Sequence, residues 1–441
     1  MKKQPRFAVL FLILLLLSAL ALARQDLFWN AEKVERAAQL SFDEQDFPAA
    51  IRLLSEARAR GRLSPAGALL LGEAWWRAGE RAQALTLWES FGSGGQASAG
   101  LFLRLAQAYQ SQGQDSAAGR RLIRGAELFP DDAEMQFALA LWQLSESPAL
   151  ARPALAAARR LDPAPAARYE IVAAALNEAL AVDDLAYQRV VGGRALAALG
   201  NWPLAERAFT RAAQANPNYA EAWAWLGEAR RQNHSELAWP AHLRALALAP
   251  ADASVQARAG LFWQAQGNFA RALEFFRRAA ALEPENVTWR MALGEVNFLA
   301  GDLSQAYGEY RAVAALAPRN AEAWRALAVF CVATETDLRE SGLPAALNAV
   351  SLAPQDWRNP DTLGRVLLTL GNNESARRMF LRAAELAPAE AAPLFHLGVL
   401  FFNTGDLAQA RSYFEQAAAL DPAGASGNAA RRVLERYFPQ P

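Results

Sequence analysis

Cysteine, histidine and lysine are scarce in this chain of 441 residues. A single cysteine, Cys331, can form neither an internal disulfide nor a thiolate metal cluster. Its place in the apolar run Leu327-Ala328-Val329-Phe330-Cys331 marks it as a small buried residue. The three histidines, His234, His242 and His396, are far apart and stand beside no Cys or Asp/Glu cluster at ligand spacing, so packing or surface roles are expected and no metal site is. Lysine occurs only at positions 2, 3 and 33, arginine being the cation elsewhere. Net charge is absent too, with 45 cations against 45 anions, which removes any global field that would draw the chain to nucleic acid. Catalysis needs convergent groups, such as an activated nucleophile with its base or two opposed carboxylates, and no such set is visible. Gly192-Gly193 has neither the strand-turn-helix setting nor the Lys-Ser/Thr end of a phosphate loop; close helix packing explains it. No cofactor is expected, and the chain is not expected to be an enzyme.

One long apolar run is present, Phe7 to Ala23, broken only by Ser18 and preceded by Lys2, Lys3 and Arg6. It reads as a segment for secretion or membrane insertion. The small-residue pattern Ala21-Leu22-Ala23 fits a cleaved signal peptide. The 17-residue length fits an uncleaved anchor, being at the lower limit of the roughly 17 to 25 residues that span a bilayer. Both leave the rest of the chain outside the cytoplasm, as a periplasmic or secreted protein or a single-pass one held at the cell membrane. A third reading, a buried N-terminal helix, would require a partner for an all-round apolar surface.

Helices dominate the remainder of the chain. In residues 253–286 the small and apolar positions Ala259, Gly260, Trp263, Ala272, Phe276, Ala279 and Leu282 recur at helical steps. Between the two halves, Gly267 can adopt the left-handed conformation that closes the first helix, and Asn268 can cap the second. Pro284 then ends the second helix, and Asn286 is placed to cap the next. Pro284, Pro318, Pro354, Pro388 and Pro422 succeed one another at 34, 36, 34 and 34 residues, a period that marks stacked helical hairpins.

These linked positions resemble the tetratricopeptide repeat, with its W-x2-L-G-x2-Y, A-x3-F and P pattern. Trp223-Leu226-Gly227 supplies the first part; Leu293-Gly294 with Ala306, Tyr310 and Pro318, Leu363-Gly364 with Ala376, Phe380 and Pro388, and Leu397-Gly398-Phe401 with Ala410, Phe414 and Pro422 supply the rest. The resemblance implies an all-α, right-handed α-solenoid of about eleven helix-turn-helix repeats with a C-terminal capping helix. Weak repeats begin at Ala31, and Phe47, Ala50, Leu54 and Ala57 fit a second helix. Pro163 to Pro217 spans one period plus 20 residues, so Ala166 to Asp184 reads as an odd helix that must reverse or splay the stacking. The expected organisation is therefore a signal or anchor (1–24), an irregular N-terminal array (25–164), a joint (165–185), a C-terminal array (186–422) and a capping helix with a tail (423–441), Arg431, Arg432, Glu435 and Arg436 of the cap facing water.

Most of the thirteen tryptophans, among them Trp75, Trp88, Trp223, Trp263 and Trp324, fall on the packing pattern. They read as core rather than as a stacking surface for sugars or bases, since burying one is worth about 2 to 3 kcal/mol. By resemblance, the opposite face of each first helix lines a concave groove. That face carries Thr288, Met291, Glu295 and Phe298; then Glu322, Arg325, Val329 and Val332; then Arg358, Asp361, Arg365 and Leu368; then Ala392, Phe395, Val399 and Phe402. The partner-groove candidates are Met291, Glu295, Phe298, Arg325, Val329, Arg365, Leu368, Phe395, Val399 and Phe402, Arg325 and Arg365 being able to hold a carboxylate bidentately. The alternative is an array that closes on itself and buries this stripe. The groove implies a scaffold outside the cytoplasm that binds a protein or peptide partner and meets a membrane only through an uncleaved N-terminal segment. A second expectation is an accessory module for an envelope enzyme system, such as polysaccharide synthesis, export or glycosyl transfer, with catalysis on another chain.

Overall fold

The computed structural model of the chain describes residues 30–93, 97–164 and 166–438. The Phe7–Ala23 run, with its reading as signal or anchor, lies outside them. Among the described residues the chain is all-helical without a strand, and no helix is long and apolar enough to cross a membrane. The chain forms two compact units that divide after Pro217.

The first unit begins with three hairpins: α1 (Ala31–Asp43) with α2 (Phe47–Ala59), α3 (Pro65–Arg77) with α4 (Arg81–Ser93), and α5 (Ala99–Ser111) with α6 (Asp115–Leu128). A fourth, α7 (Ala133–Glu146) with α8 (Pro148–Leu161), is succeeded by the single helix α9 (Ala166–Leu180), and then by the hairpin of α10 (Leu185–Ala198) and α11 (Trp202–Ala215). Helix α9 has no hairpin partner of its own. It packs between α8 and α10, and the last hairpin of the unit turns back so that both α10 and α11 lie against α7.

A buried charge cluster holds that return. Arg207 of α11 is 8% exposed and is clasped by Asp115 at the start of α6 and by Glu146 at the end of α7. Arg211 reaches the same Glu146 at 3.0 Å. Arg189 donates to the carbonyls of Glu146 and Arg211 at 2.9 and 3.1 Å, so the orphan carbonyl that ends α7 gains a charged donor that also ties it to α11. Gly192 and Gly193, as expected, serve packing: a side chain on Gly192 would meet the Leu144 carbonyl at 2.9 Å, and Gly193 lies under the Phe209 ring.

The second unit runs through the hairpins α12 (Ala220–Gln232) with α13 (Ala238–Leu248), α14 (Ala253–Ala265) with α15 (Phe269–Leu282), and α16 (Val287–Leu299) with α17 (Leu303–Leu316). It continues with α18 (Ala321–Thr334), a short π turn at Leu338–Gly342 and α19 (Leu343–Leu352), then α20 (Arg358–Thr369) with α21 (Asn373–Leu386), and α22 (Ala391–Thr404) with α23 (Leu407–Leu420). The capping helix α24 (Ala425–Tyr437) ends the stack, so the described residues hold eleven hairpins and two single helices. Within this unit each second helix packs on the first helix of the next hairpin.

Local chemistry sets most of the hairpin corners. Gly267 takes φ +70°, a conformation costly for any residue with a Cβ, and Asn268 caps α15 by accepting from the Arg271 amide at 3.2 Å. Seven hairpins have glycine at this left-handed corner; His234 holds it between α12 and α13 with φ 56°. Farther into the hairpin, the first helix places a glycine under a ring of the second: Phe276 over Gly260, Tyr310 over Gly294, Phe380 over Gly364 and Phe414 over Gly398. The contact lets two helix backbones approach closely, and each of these rings fills the space that a side chain on the glycine would claim.

Three expectations about burial are corrected. Leu282 is 42% exposed, because α15 turns that side away from the interface made by Phe276 and Ala279. Trp75 and Trp88 are core, whereas Trp223, Trp263 and Trp324 are only half-buried. Arg431 of the capping helix does not face water: half-buried, it donates to the Pro422 carbonyl at 2.6 Å and to Asn428 at 2.5 Å, closing the chain's last turn.

Candidate binding groove

The stripe on the first helices becomes a cavity where α16 and α18 run side by side. Its volume is about 510 Å³, and Met291, Glu295 and Phe298 of α16 face Arg325 and Val329 of α18 across it. Five of the ten candidate residues therefore meet at one place. The spacing of three and four residues puts them on one face of each helix, and stacking sets the two faces together.

Apolar groups form the floor. Phe298, 37% exposed, stands edge-on to the buried Phe330 with ring centroids 6.0 Å apart, and Tyr310 meets the same Phe330 at 5.4 Å. The Tyr310 phenol is pushed up to about 12, first by burial and then by the neighbouring Glu295 carboxylate, so it stays neutral. Polar groups form the rim. Arg325 is engaged by Glu322 one turn back, its Nε donating at 3.1 Å, while Glu295 is exposed and accepts from Gln264 at 3.1 Å. Two carboxylates thus face one guanidinium, leaving the rim one negative charge in excess.

The other five candidates lie further along the unit. Arg365 is half-exposed on α20, and Leu368, Phe395, Val399 and Phe402 are half-buried against the cluster built on Phe380, Phe401 and Phe414. Phe402 packs against the capping helix, its ring tilted to that of Tyr437 at 5.1 Å. Asp361, which the spacing put in the stripe, is 5% exposed and bonded to His396 Nδ1 at 2.7 Å across neighbouring hairpins. Residues that the stripe did not include enter from elsewhere: Leu261 of α14 and Tyr310 of α17 both line the cavity. Tyr310 was visible only as the ring opposite Gly294, and nothing in the spacing of Leu261 showed which way it would face.

Among the described residues, no group of three or more His, Cys, Asp or Glu side chains is placed to hold a metal ion. Cys331 is fully buried, and burial pushes its thiol up to about 11, which keeps it inert.

Two family models, both described as tetratricopeptide repeat, match the chain: one at residues 35–90, 190–253 and 362–425, the other at 264–334. No curated protein matches it. Similar solved structures include yeast Tom70, 14% identical with 92% of this chain and 95% of that one covered at a TM-score of 0.46. A tetratricopeptide repeat protein from Parabacteroides merdae is 15% identical, with 57% and 97% covered and a TM-score of 0.45. YrrB, described as a TPR protein with an unusual peptide-binding site, is 19% identical, with 43% and 97% covered and a TM-score of 0.33. The segments matched by the two models take in more than half of the 441 residues, on the same hairpins that the structure stacks, and the chain belongs to the tetratricopeptide repeat family.

Proposed function

We propose that this chain is a non-catalytic scaffold that binds a partner's peptide segment in the cavity between α16 and α18. The observation that carries the reading is the pairing of an open apolar floor, Met291, Phe298 and Val329, with a rim whose carboxylates outnumber its guanidinium. A tetratricopeptide array serves as a protein-interaction scaffold, and exposed apolar area of this kind is where a partner docks. The occupant is a segment that places one large apolar side chain on Phe298 and a Lys or Arg beside Glu295. Burying such a side chain is worth about 2 kcal/mol, and the cation answers the excess carboxylate.

Panning a random-peptide library on the full chain tests this. Enriched peptides should share an apolar residue next to a cation, and Phe298→Asp should lose them. Peptides retained by Phe298→Asp would move the site elsewhere.

The same proposal holds the repeats outside the cytoplasmic membrane, on the strength of Lys2, Lys3 and Arg6 ahead of the apolar run. Lys33, exposed on α1, makes this measurable, because the only other lysines are Lys2 and Lys3. A membrane-impermeant amine reagent applied to intact cells with a permeable outer envelope should modify Lys33. Modification only after lysis would refute an outside location.

A further inference from the structure

The first unit has a groove of its own, at the same place in its hairpins as the cavity between α16 and α18. Leu103, Gln107 and Gln110 stand four, eight and eleven residues after the first residue of α5, as Met291, Glu295 and Phe298 do in α16. Phe137 and Leu141 of α7 repeat the steps of Arg325 and Val329 in α18, and Leu122 of α6 answers to Tyr310 of α17. Here, however, the groove is covered. The corner between α10 and α11 lies on it, Leu199, Asn201 and Leu204 lining what is left: a cavity of about 280 Å³, where the second unit keeps about 510 Å³. Arg168 of α9 closes another side, bonded to Glu134 at 3.0 Å and lying 4.6 Å from the centre of the Phe137 ring.

Helix α11 is made for this seat. In other second helices the third and sixth residues are exposed, as Arg271 and Glu274 are in α15 and Gln305 and Gly308 in α17. In α11 the same positions hold Leu204 and Arg207, only 4% and 8% exposed. Leu204 enters the groove, and Arg207 enters the clasp of Asp115 and Glu146. The match is incomplete. The Arg207 guanidinium lies 5.4 Å from the centre of the Trp142 ring, and Arg207 Nε and Trp142 Nε1 are both buried without a hydrogen-bond partner. Unmatched buried donors count against the closed form, since release of α11 gives Arg207 Nε back to water.

We propose that the α5–α7 face is a second peptide site, held shut by the chain's own α10–α11 corner as an autoinhibitory contact. What the corner supplies defines what replaces it. The incoming segment presents two leucine-sized side chains in place of Leu199 and Leu204, and an arginine to Asp115 and Glu146, whose carboxylates lose Arg207 when α11 leaves. Peptide binding there rests on the α16–α18 reading of this helix face; the closure does not, and is tested without a peptide.

Maleimide labelling of the full chain carrying Leu204→Cys reads the closure. The one native thiol, Cys331, is fully buried in the second unit and serves as the slow reference. Adding Arg207→Ala should speed modification of the new thiol about a hundredfold, the loss expected of a broken buried pair, and leave Cys331 unchanged. Circular dichroism guards against Arg207→Ala failing to fold, and Glu146→Gln, which should speed labelling about tenfold, then carries the test. Equal rates with and without the clasp overturn the closure. Panning a random-peptide library on Arg207→Ala in a Phe298→Asp background reads the site. Enriched peptides should combine two leucine-sized residues with an arginine and bind at least tenfold more weakly when Arg207 is restored. They should be lost when Gln107→Trp fills the groove from its exposed position. No enrichment, equal binding to the clasped chain, or binding that Gln107→Trp leaves intact overturns the site, whatever Phe298→Asp does at the other groove.

Discussion

Replacing His242 by Phe should stabilise the α12–α13 hairpin and remove part of its acid sensitivity. Phe380 and Phe414 pack over glycines of their own hairpins, and His242 lies in the same way over Gly227. It is 1% exposed, and neither ring nitrogen has a hydrogen-bond partner. A neutral imidazole has one donor and one acceptor, and each costs about 1 to 3 kcal/mol when buried unmatched. Burial accordingly drives the imidazole from 6.5 down to about 4; the nearby Glu228 carboxylate opposes that shift, and Arg258 and Arg231 add to it.

Linkage gives the sign. Between about 4 and 6.5 the unfolded chain carries a proton on His242 that the folded chain refuses, so stability is full above 6.5 and falls as the pH drops toward 4. The shift corresponds to an upper bound on the order of 3 kcal/mol. Phe removes both penalties, against some cost for its extra volume, and a net gain of about 1 to 2 kcal/mol at neutral pH is expected. Because stacked repeats open locally, amide hydrogen exchange within residues 220–248 is the proper assay, compared at pH 7 and pH 4.5 after correction for intrinsic exchange. The reasoning fails if His242→Phe lowers protection at pH 7, or if the variant loses as much protection on acidification as the wild type does.

Two further substitutions probe the stacking. In Gly398→Ala the new methyl would sit 2.6 Å from the Phe414 ring, which is 1% exposed and has nowhere to go; a loss of about 1 to 3 kcal/mol is expected in chemical denaturation, relieved when Phe414→Leu is added. Arg207→Ala would strip the buried partner from Glu146 and Asp115, costing about 3 kcal/mol, near the low end for a broken buried pair because Asp115 is 43% exposed. Exchange protection should fall in residues 185–215 and stay unchanged in residues 218–438, and a uniform fall across the chain would refute the local role.

How far the sequence reached depended on the range of the interaction. Corners, caps and helix lengths are local. Gly267 with Asn268 and the 34-residue proline period fixed the hairpins, and the 20-residue surplus after Pro163 disclosed the odd helix. Within a helix, the three- and four-residue steps put Met291, Glu295 and Phe298 on one side. What the stripe would touch was decided elsewhere. Tyr310 joins the cavity through its glycine contact, Asp361 turns to His396, and Phe402 meets Tyr437 of a helix 35 residues on.

Leu204 shows the same division. It is the third residue of α11, a position exposed in α15 and α17, and nothing in its neighbours along the chain announces the α5–α7 face. The sequence by itself determined that the chain would fold into helical hairpins and where each begins and ends, because backbone conformation and capping are settled within a few residues. Only the tertiary structure decided which faces meet and which cavities stay open, and why an indole hydrogen is left without an acceptor, because those depend on how side chains of separate hairpins interlock.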